Sequence, residues 1–171
     1  MIYTCSVYPH KNLEKLIGAV KLVGIDLVIA SVRNVFVERL SRYVKSNDME
    51  KSVHFLGFVS DHELTGLYKS AKAFVFPSLA EGFGLPGLEA MAAGCPVVCS
   101  DIPVFHEIYG DAAIYFDPNN ARDIAEKINN VFHSNDTYHH SMVERGKEHA
   151  KKFSWRKMAQ ETLEVYKEII S

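Results

Sequence analysis

Ala73-Phe74-Val75-Phe76-Pro77-Ser78-Leu79-Ala80-Glu81-Gly82-Phe83-Gly84-Leu85-Pro86-Gly87-Leu88-Glu89-Ala90-Met91-Ala92-Ala93-Gly94-Cys95-Pro96-Val97-Val98-Cys99 is the stretch that decides the fold. It opens with four apolar residues, long enough for a fully buried strand. A glycine-rich loop follows, then a helical run with Pro86 in its first turn, where a missing N–H costs nothing. Gly94 can take the positive φ that ends a helix, and Pro96 blocks its continuation. Val97-Val98-Cys99 then returns as a second strand. Strand, loop, helix and strand together make one crossover unit of a parallel sheet.

The same alternation runs through most of the chain. Ile2–Cys5, Asp26–Ala30, Val53–Phe55, Ala73–Phe76, Val97–Ser100 and Ala113–Phe116 read as strands, several of them β-branched or aromatic throughout, as strands covered on both faces are. Leu13–Leu22, Val35–Lys45, His62–Ser70, Pro86–Ala93 and Val104–Tyr109 carry helical periodicity between them. Such alternation predicts right-handed crossovers. The expected architecture is a single α/β domain over residues 1–171, a Rossmann-like, doubly wound parallel sheet of about six strands. Three further helical segments, Ala121–Phe132, Tyr138–Lys152 and Trp155–Ile170, form a C-terminal helical tail. Ser60 or Asp61 is placed to cap one helix, and Asp117-Pro118-Asn119-Asn120 makes a turn into another.

Composition narrows the function classes. A hydrophobic content of 47% and a charged content of 23% are those of an ordinary globular protein, and a net charge of −2 without single-sign runs argues against a nucleic-acid surface. The apolar stretches are strand-sized, and Met1–Cys5 lacks the basic start and long apolar run of a signal peptide. Three cysteines cannot all pair with one another. Cys95 and Cys99, if extended on one strand, would lie roughly 13 Å apart, beyond disulfide reach. Reduced thiols and a cytoplasmic setting are expected. The eight histidines, His139-His140 included, show no metal-ligand spacing, so no metal and no cofactor are expected.

The loop itself carries two carboxylates, Glu81 and Glu89, with seven residues between them. Gly82, Gly84 and Gly87 let backbone N–H groups approach a ligand, and the helix start after them is a natural phosphate site. Carboxylates at each end can accept hydrogen bonds from sugar hydroxyls. A pyrophosphate flanked by two sugars, a nucleotide-sugar, suits this layout. The same glycines also satisfy G-x-G-x-x-G, with Asp101 after the next strand, so NAD or FAD binding is an alternative. Against that alternative, Pro77–Glu81 intervene between strand and first glycine, the loop follows the fourth strand, and Pro86 and the glutamates have no part in that fingerprint.

Phe74–Val98 resembles the E-x7-E signature of retaining GT-B glycosyltransferases of the group 1 family, glycosyltransferase family 4. Pro9-His10-Lys11-Asn12-Leu13 is similar to that family's K-N loop, and His54-Phe55-Leu56-Gly57-Phe58-Val59 with Leu67-Tyr68 to its nucleotide-facing strand and helix. Asp111-Ala112-Ala113, Asp117-Pro118 and Phe153-Ser154-Trp155 resemble its closing segments, so the likeness covers nearly the whole chain. The resemblance implies that Glu81 and the backbone of Gly82, Phe83 and Gly84 hold the transferred sugar. It implies that Leu85 and Pro86 present helix-start backbone to the diphosphate, that Glu89 binds the ribose, and that Lys11 neutralises the leaving group without a metal. The base would lie near Gly57, Phe58 and Val59. Taken singly, Glu89, Glu81 and Lys11 read as solvated charges, and Phe83, Leu85 and Leu88 can pack as readily as touch a ligand.

The resemblance further implies a nucleoside-diphosphate sugar as donor, GDP-mannose or a UDP-sugar, since the Pro-His-Lys-Asn form occurs among mannosyltransferase-like members. A saccharide or lipid-linked acceptor of polysaccharide biosynthesis is implied, with peripheral membrane association of the full enzyme. The chain matches one half of a GT-B fold, the C-terminal, donor-binding domain; the N-terminal acceptor domain is expected to be absent, and the chain to be inactive alone, as a fragment or one part of a split enzyme. A non-catalytic nucleotide-sugar-binding or partner-binding module is the alternative from another class. Three positions depart from the family's pattern: Cys5 and Ser31 stand where glycine is usual, and Ser6 where arginine is frequent. Arg33 is a candidate to supply the missing charge.

Overall fold

Six short strands form one parallel sheet in the order β3-β2-β1-β4-β5-β6. The computed structural model describes residues 1–170. The strands are β1 (Ile2–Thr4), β2 (Leu27–Ala30), β3 (Val53–Phe55), β4 (Phe74–Phe76), β5 (Val97–Ser100) and β6 (Ala113–Phe116). All five pairings are parallel, with Ile2 of β1 opposite Val28 on one side and Phe74 on the other. Every residue of β1, β4 and β5 is buried, which is why these strands show no alternation of apolar and polar positions.

The crossovers are α1 (Leu13–Val23), α2 (Val35–Ser46), α3 (Asp61–Ser70), α4 (Leu85–Ala92) and α5 (Pro103–Tyr109). Then come α6 (Ala121–Phe132), α7 (Asp136–Ala150) and α8 (Trp155–Ile170). The sheet is built outward in both directions from its middle, so right-handed crossovers place α1 and α2 on one face and α3, α4 and α5 on the other. The tail helices complete both layers: α6 packs on α1, and α7 packs on α4. α8 has no buried residue. No helix among the described residues is long and apolar enough to cross a membrane.

Local chemistry sets the boundaries. Asn34 Oδ1 accepts from the N–H groups of Phe36 and Val37 at 2.9 and 3.1 Å to start α2. Ser60 and Glu63 form a reciprocal capping box on α3, so the cap is Ser60 and not Asp61. Asn120 and Asn135 cap α6 and α7 as Asn34 caps α2, each side-chain oxygen accepting from backbone N–H groups of the first turn. The strands are shorter than the apolar runs suggest: Asp26, Cys5 and Ala73 fall outside them, because Cys5 turns to φ 122° and Ala73 contributes only its carbonyl, to Ile2.

A column of aromatic rings connects the sheet to the glycine loop. Phe76 of β4 lies 4.9 Å from Phe105 of α5, and Phe105 stacks on Tyr109 at 5.1 Å. The Tyr109 hydroxyl donates to the Gly84 carbonyl at 2.5 Å, directly beneath the start of α4. A Cβ on Gly84 or on Gly87 would sit 2.3 Å from that hydroxyl. Gly84 also has φ 101°, which side chains rarely adopt. These two glycines therefore make room for Tyr109. Gly82, by contrast, has nothing within 4 Å of where a Cβ would stand.

The three glycines of the loop thus separate by stability. Gly87→Ala should cost about 1–3 kcal/mol through overpacking against a ring that cannot move aside. Gly82→Ala should stay within about 0.5 kcal/mol, as an open surface change does. Urea unfolding of the two variants checks this, and equal losses would contradict the packing argument.

Candidate functional site

Two segments leave the C-terminal ends of neighbouring strands at the centre of the sheet, one after β1 and one after β4. The first continues towards β2 and the second towards β5, so they diverge and leave a crevice, the usual ligand position in an open α/β sheet. After β1 the chain makes a 3₁₀ turn over Pro9–Lys11, and Asn12, at φ 58°, starts α1. That turn directs Lys11 inward. Lys11 is only 6% exposed, its Nζ lies 2.5 Å from Glu81 Oε1, and it stands 5.4 Å from the centroid of the Phe76 ring. A buried ammonium requires such a partner. The backbones meet as well, with Leu79 N–H donating to the His10 carbonyl at 2.8 Å.

Beside this crevice, over the β1-β2-β3 half of the sheet, lies a cleft of about 390 Å³. Thr4, Cys5 and Ser6 form one wall, Ala30, Ser31, Val32 and Asn34 a second. Gly57, Phe58, Val59 and Leu64 come from the β3–α3 side, and Pro86 and Glu89 from α4. Glu89 reaches water, yet partial desolvation, and then the nearby charge of Asp61, hold its carboxyl above the usual glutamate range. Phe58 is 78% exposed and offers an open ring face at the cleft.

The structure thus brings five of the expected residues, Gly57, Phe58, Val59, Pro86 and Glu89, to one cleft. It joins Lys11 and Glu81 in an ion pair next to it. Gly82, Phe83, Gly84 and Leu85 form the connection from Glu81 into α4. Within that connection Phe83 packs edge-on against Phe153, and the Gly84 carbonyl is taken by Tyr109. Cys5, Ser6 and Ser31, the three departures, all line the cleft. Cys5 keeps a backbone that suits glycine, φ 122°, although it carries a side chain. Cys5 is half-buried, Cys95 and Cys99 are buried, and all three thiols are free. Arg33 supplies no charge to the cleft: it is exposed and pairs with Glu38 at 3.3 Å.

Sequence reasoning found both ends of the Lys11–Glu81 pair but assigned them to separate parts of a ligand; that they meet is new. It missed Tyr109, Asn12 and Thr4. Tyr109 lies 25 residues from the carbonyl it supports, and no local spacing reveals that bond. Asn12 Nδ2 donates to the Pro118 carbonyl at 2.8 Å, and Thr4 Oγ1 shares a buried 2.8 Å hydrogen bond with the Tyr68 hydroxyl. The side-chain amide after Lys11 was the one available signal for the former.

Residues 1–149 match the family model described as glycosyl transferases group 1. O-antigen chain mannosyltransferase B of Escherichia coli is 35% identical over 97% of this chain, which covers 45% of that relative. Among solved structures, sucrose-phosphate synthase from Thermosynechococcus elongatus superposes with a TM-score of 0.88 at 22% identity, over 99% of this chain and 45% of that one. The C-terminal domain of a glycosyl transferase group 1 family protein, LpcC, from Francisella tularensis gives 0.73 at 25% identity, over 88% of this chain and 84% of that one. The chain spans less than half the length of the E. coli relative. With a parallel Rossmann-like sheet, a central ion-paired crevice and a family match over most of its length, this chain belongs to the group 1 glycosyltransferases and corresponds to their C-terminal domain.

Proposed function

We propose that this chain binds the nucleoside-diphosphate sugar donor of a retaining, metal-independent glycosyltransferase, with GDP-mannose as the favoured donor. The observation that carries the reading is the convergence of Gly57–Val59, Pro86 and Glu89 on one cleft beside the Lys11–Glu81 pair. Kinship to an O-antigen chain mannosyltransferase supports the choice of mannose.

Each group then has a chemical task. The base lies along Gly57–Val59 with Phe58 available for stacking. Glu89 accepts hydrogen bonds from the ribose hydroxyls, and its partial desolvation strengthens them. The diphosphate sits at the start of α4, where Leu85 and Pro86 begin the helix and its dipole favours negative charge. Lys11 exchanges part of its contact with Glu81 for the diphosphate, and supports the departing nucleoside diphosphate as the glycosidic bond breaks. Glu81, with the Gly82–Gly84 backbone, is left to hold the hydroxyls of the transferred sugar. Transfer to a saccharide or lipid-linked acceptor calls for an acceptor-binding partner domain, so the isolated chain binds donor without turnover.

Calorimetry on this chain with GDP, UDP and ADP tests the reading. GDP should bind best; absence of binding to all three in a folded sample would sink it. Glu89→Gln should weaken GDP roughly tenfold, by removing an ionised acceptor. A carboxyl raised above the ordinary range is protonated at higher pH than usual. GDP affinity should therefore drop as pH falls through that raised value, and the Glu89→Gln variant should lose this dependence.

The ion pair gives a separate expectation. Removing one partner of a buried pair typically costs about 3–5 kcal/mol. Lys11→Met and Glu81→Gln should each destabilise strongly, whereas the double variant should recover much of the loss while remaining unable to hold the diphosphate. Thermal unfolding with and without GDP reads both effects.

A further inference from the structure

Two buried tyrosine hydroxyls end on backbone carbonyls, one in each of the two segments that border the crevice. Tyr109 donates to the Gly84 carbonyl at 2.5 Å, just before α4, and Tyr3 donates to the Ser6 carbonyl at 2.5 Å, just after β1. Both side chains are fully buried. Their rings are joined through the core. Tyr3 meets Phe76 edge-on at 6.5 Å, Phe76 lies 4.9 Å from Phe105, and Phe105 stacks on Tyr109 at 5.1 Å. Phe76, in the middle of this row, is the ring beneath Lys11.

Each hydroxyl meets the backbone where the chain needs support. Gly84 has φ 101°, and Cys5, immediately before Ser6, has φ 122° although it carries a side chain. The first needs holding because glycine is free to move, the second because such a conformation costs free energy and persists only where its surroundings fix it. The Gly84 carbonyl also accepts from Gly87 N–H at 3.1 Å, so Tyr109 holds the first turn of α4 as well as the residue before it. Cys5 and Ser6 line the cleft on one side, and Pro86 and Glu89 of α4 line it on the other. Neither tyrosine belongs to that lining, so both act on it through the backbone alone. Burial pushes both phenols above the ordinary tyrosine range, and each therefore stays a donor.

Phenylalanine fills the same row at positions 76 and 105, so what the two tyrosines add is a bond to a loop carbonyl. We propose that Tyr3 and Tyr109 are positioning residues for donor binding: their hydroxyls fix the two backbone walls between which the diphosphate lies. The proposal rests on the donor reading for what occupies that gap, whereas the fixing of the walls is a property of the chain without ligand.

Tyr3→Phe and Tyr109→Phe test it, since each removes one hydroxyl and keeps the ring. Calorimetry with GDP and NMR titration with guanosine, which lacks phosphate, read the binding. Each variant should weaken GDP roughly fivefold, the worth of one neutral hydrogen bond, and leave guanosine within about twofold. Amide hydrogen exchange reads the walls directly. In Tyr109→Phe the Gly87 amide should exchange about tenfold faster while that of Met91, later in α4, is unchanged. In Tyr3→Phe the Cys5 amide, which donates to the Ala30 carbonyl, should respond in the same way. Equal weakening of GDP and guanosine in both variants, with Gly87 and Met91 speeding up together, would mean general loosening and overturn the proposal. So would unchanged GDP affinity in both. If the unaltered chain binds no GDP, the donor reading falls; the exchange data then decide alone, and unchanged Gly87 and Cys5 amides would remove the positioning role too.

Discussion

The divergence of the chain at the middle of the sheet is the constraint on which everything else depends. β1 and β4 lie side by side, yet the chain leaves them in opposite directions, and a gap opens between the two loops. A gap of that kind exposes polar ends of strands and loops that must be satisfied. Here one buried lysine and one glutamate close it, supported by an aromatic ring below and a backbone hydrogen bond beside. A buried pair is a poor source of net stability but a strong source of register, because either charge alone is costly. The two loops are consequently fixed against each other before any ligand arrives.

The aromatic column extends this control to the helix start. Tyr109 belongs to α5, but its hydroxyl supports the carbonyl that precedes α4, so the position of the α4 N-terminus is set from the core and not from the loop alone. The loop looks flexible on paper, with glycine at three positions in six residues. Two of those glycines are instead fully packed, and their lack of a side chain serves Tyr109. The glycine that does face open space is Gly82, adjacent to Glu81. Preorganisation of this sort lowers the ordering cost of binding.

Much of this architecture could be read in the sequence because parallel crossovers write themselves as alternating apolar runs and helical periods. The six strands, the eight helices among the described residues and the special status of Glu81, Glu89 and Lys11 all came from local pattern or from the likeness of the motifs. What could not be read shares one property: it joins residues distant in sequence. The Lys11–Glu81 contact spans 70 residues, Asn12–Pro118 spans 106, and Tyr109–Gly84 spans 25. The 3₁₀ turn at Pro9–Lys11 is short and without periodicity, so nothing local in the sequence shows that it aims Lys11 inward. Arg33 shows the opposite error, a charge nearby in sequence that faces away.

α8 has a consequence of its own. Sixteen residues without one buried side chain receive almost no tertiary support, and an isolated helix of that length is marginal in water. Cooperative unfolding of the sheet and its flanking helices therefore leaves α8 out. Its amides should open with free energies near zero, while those of β1 and β4 report the global value. The isolated chain is thus two thermodynamic bodies joined at Phe153-Ser154, and a melting curve followed by helical signal would broaden where one followed by core tyrosines stays sharp.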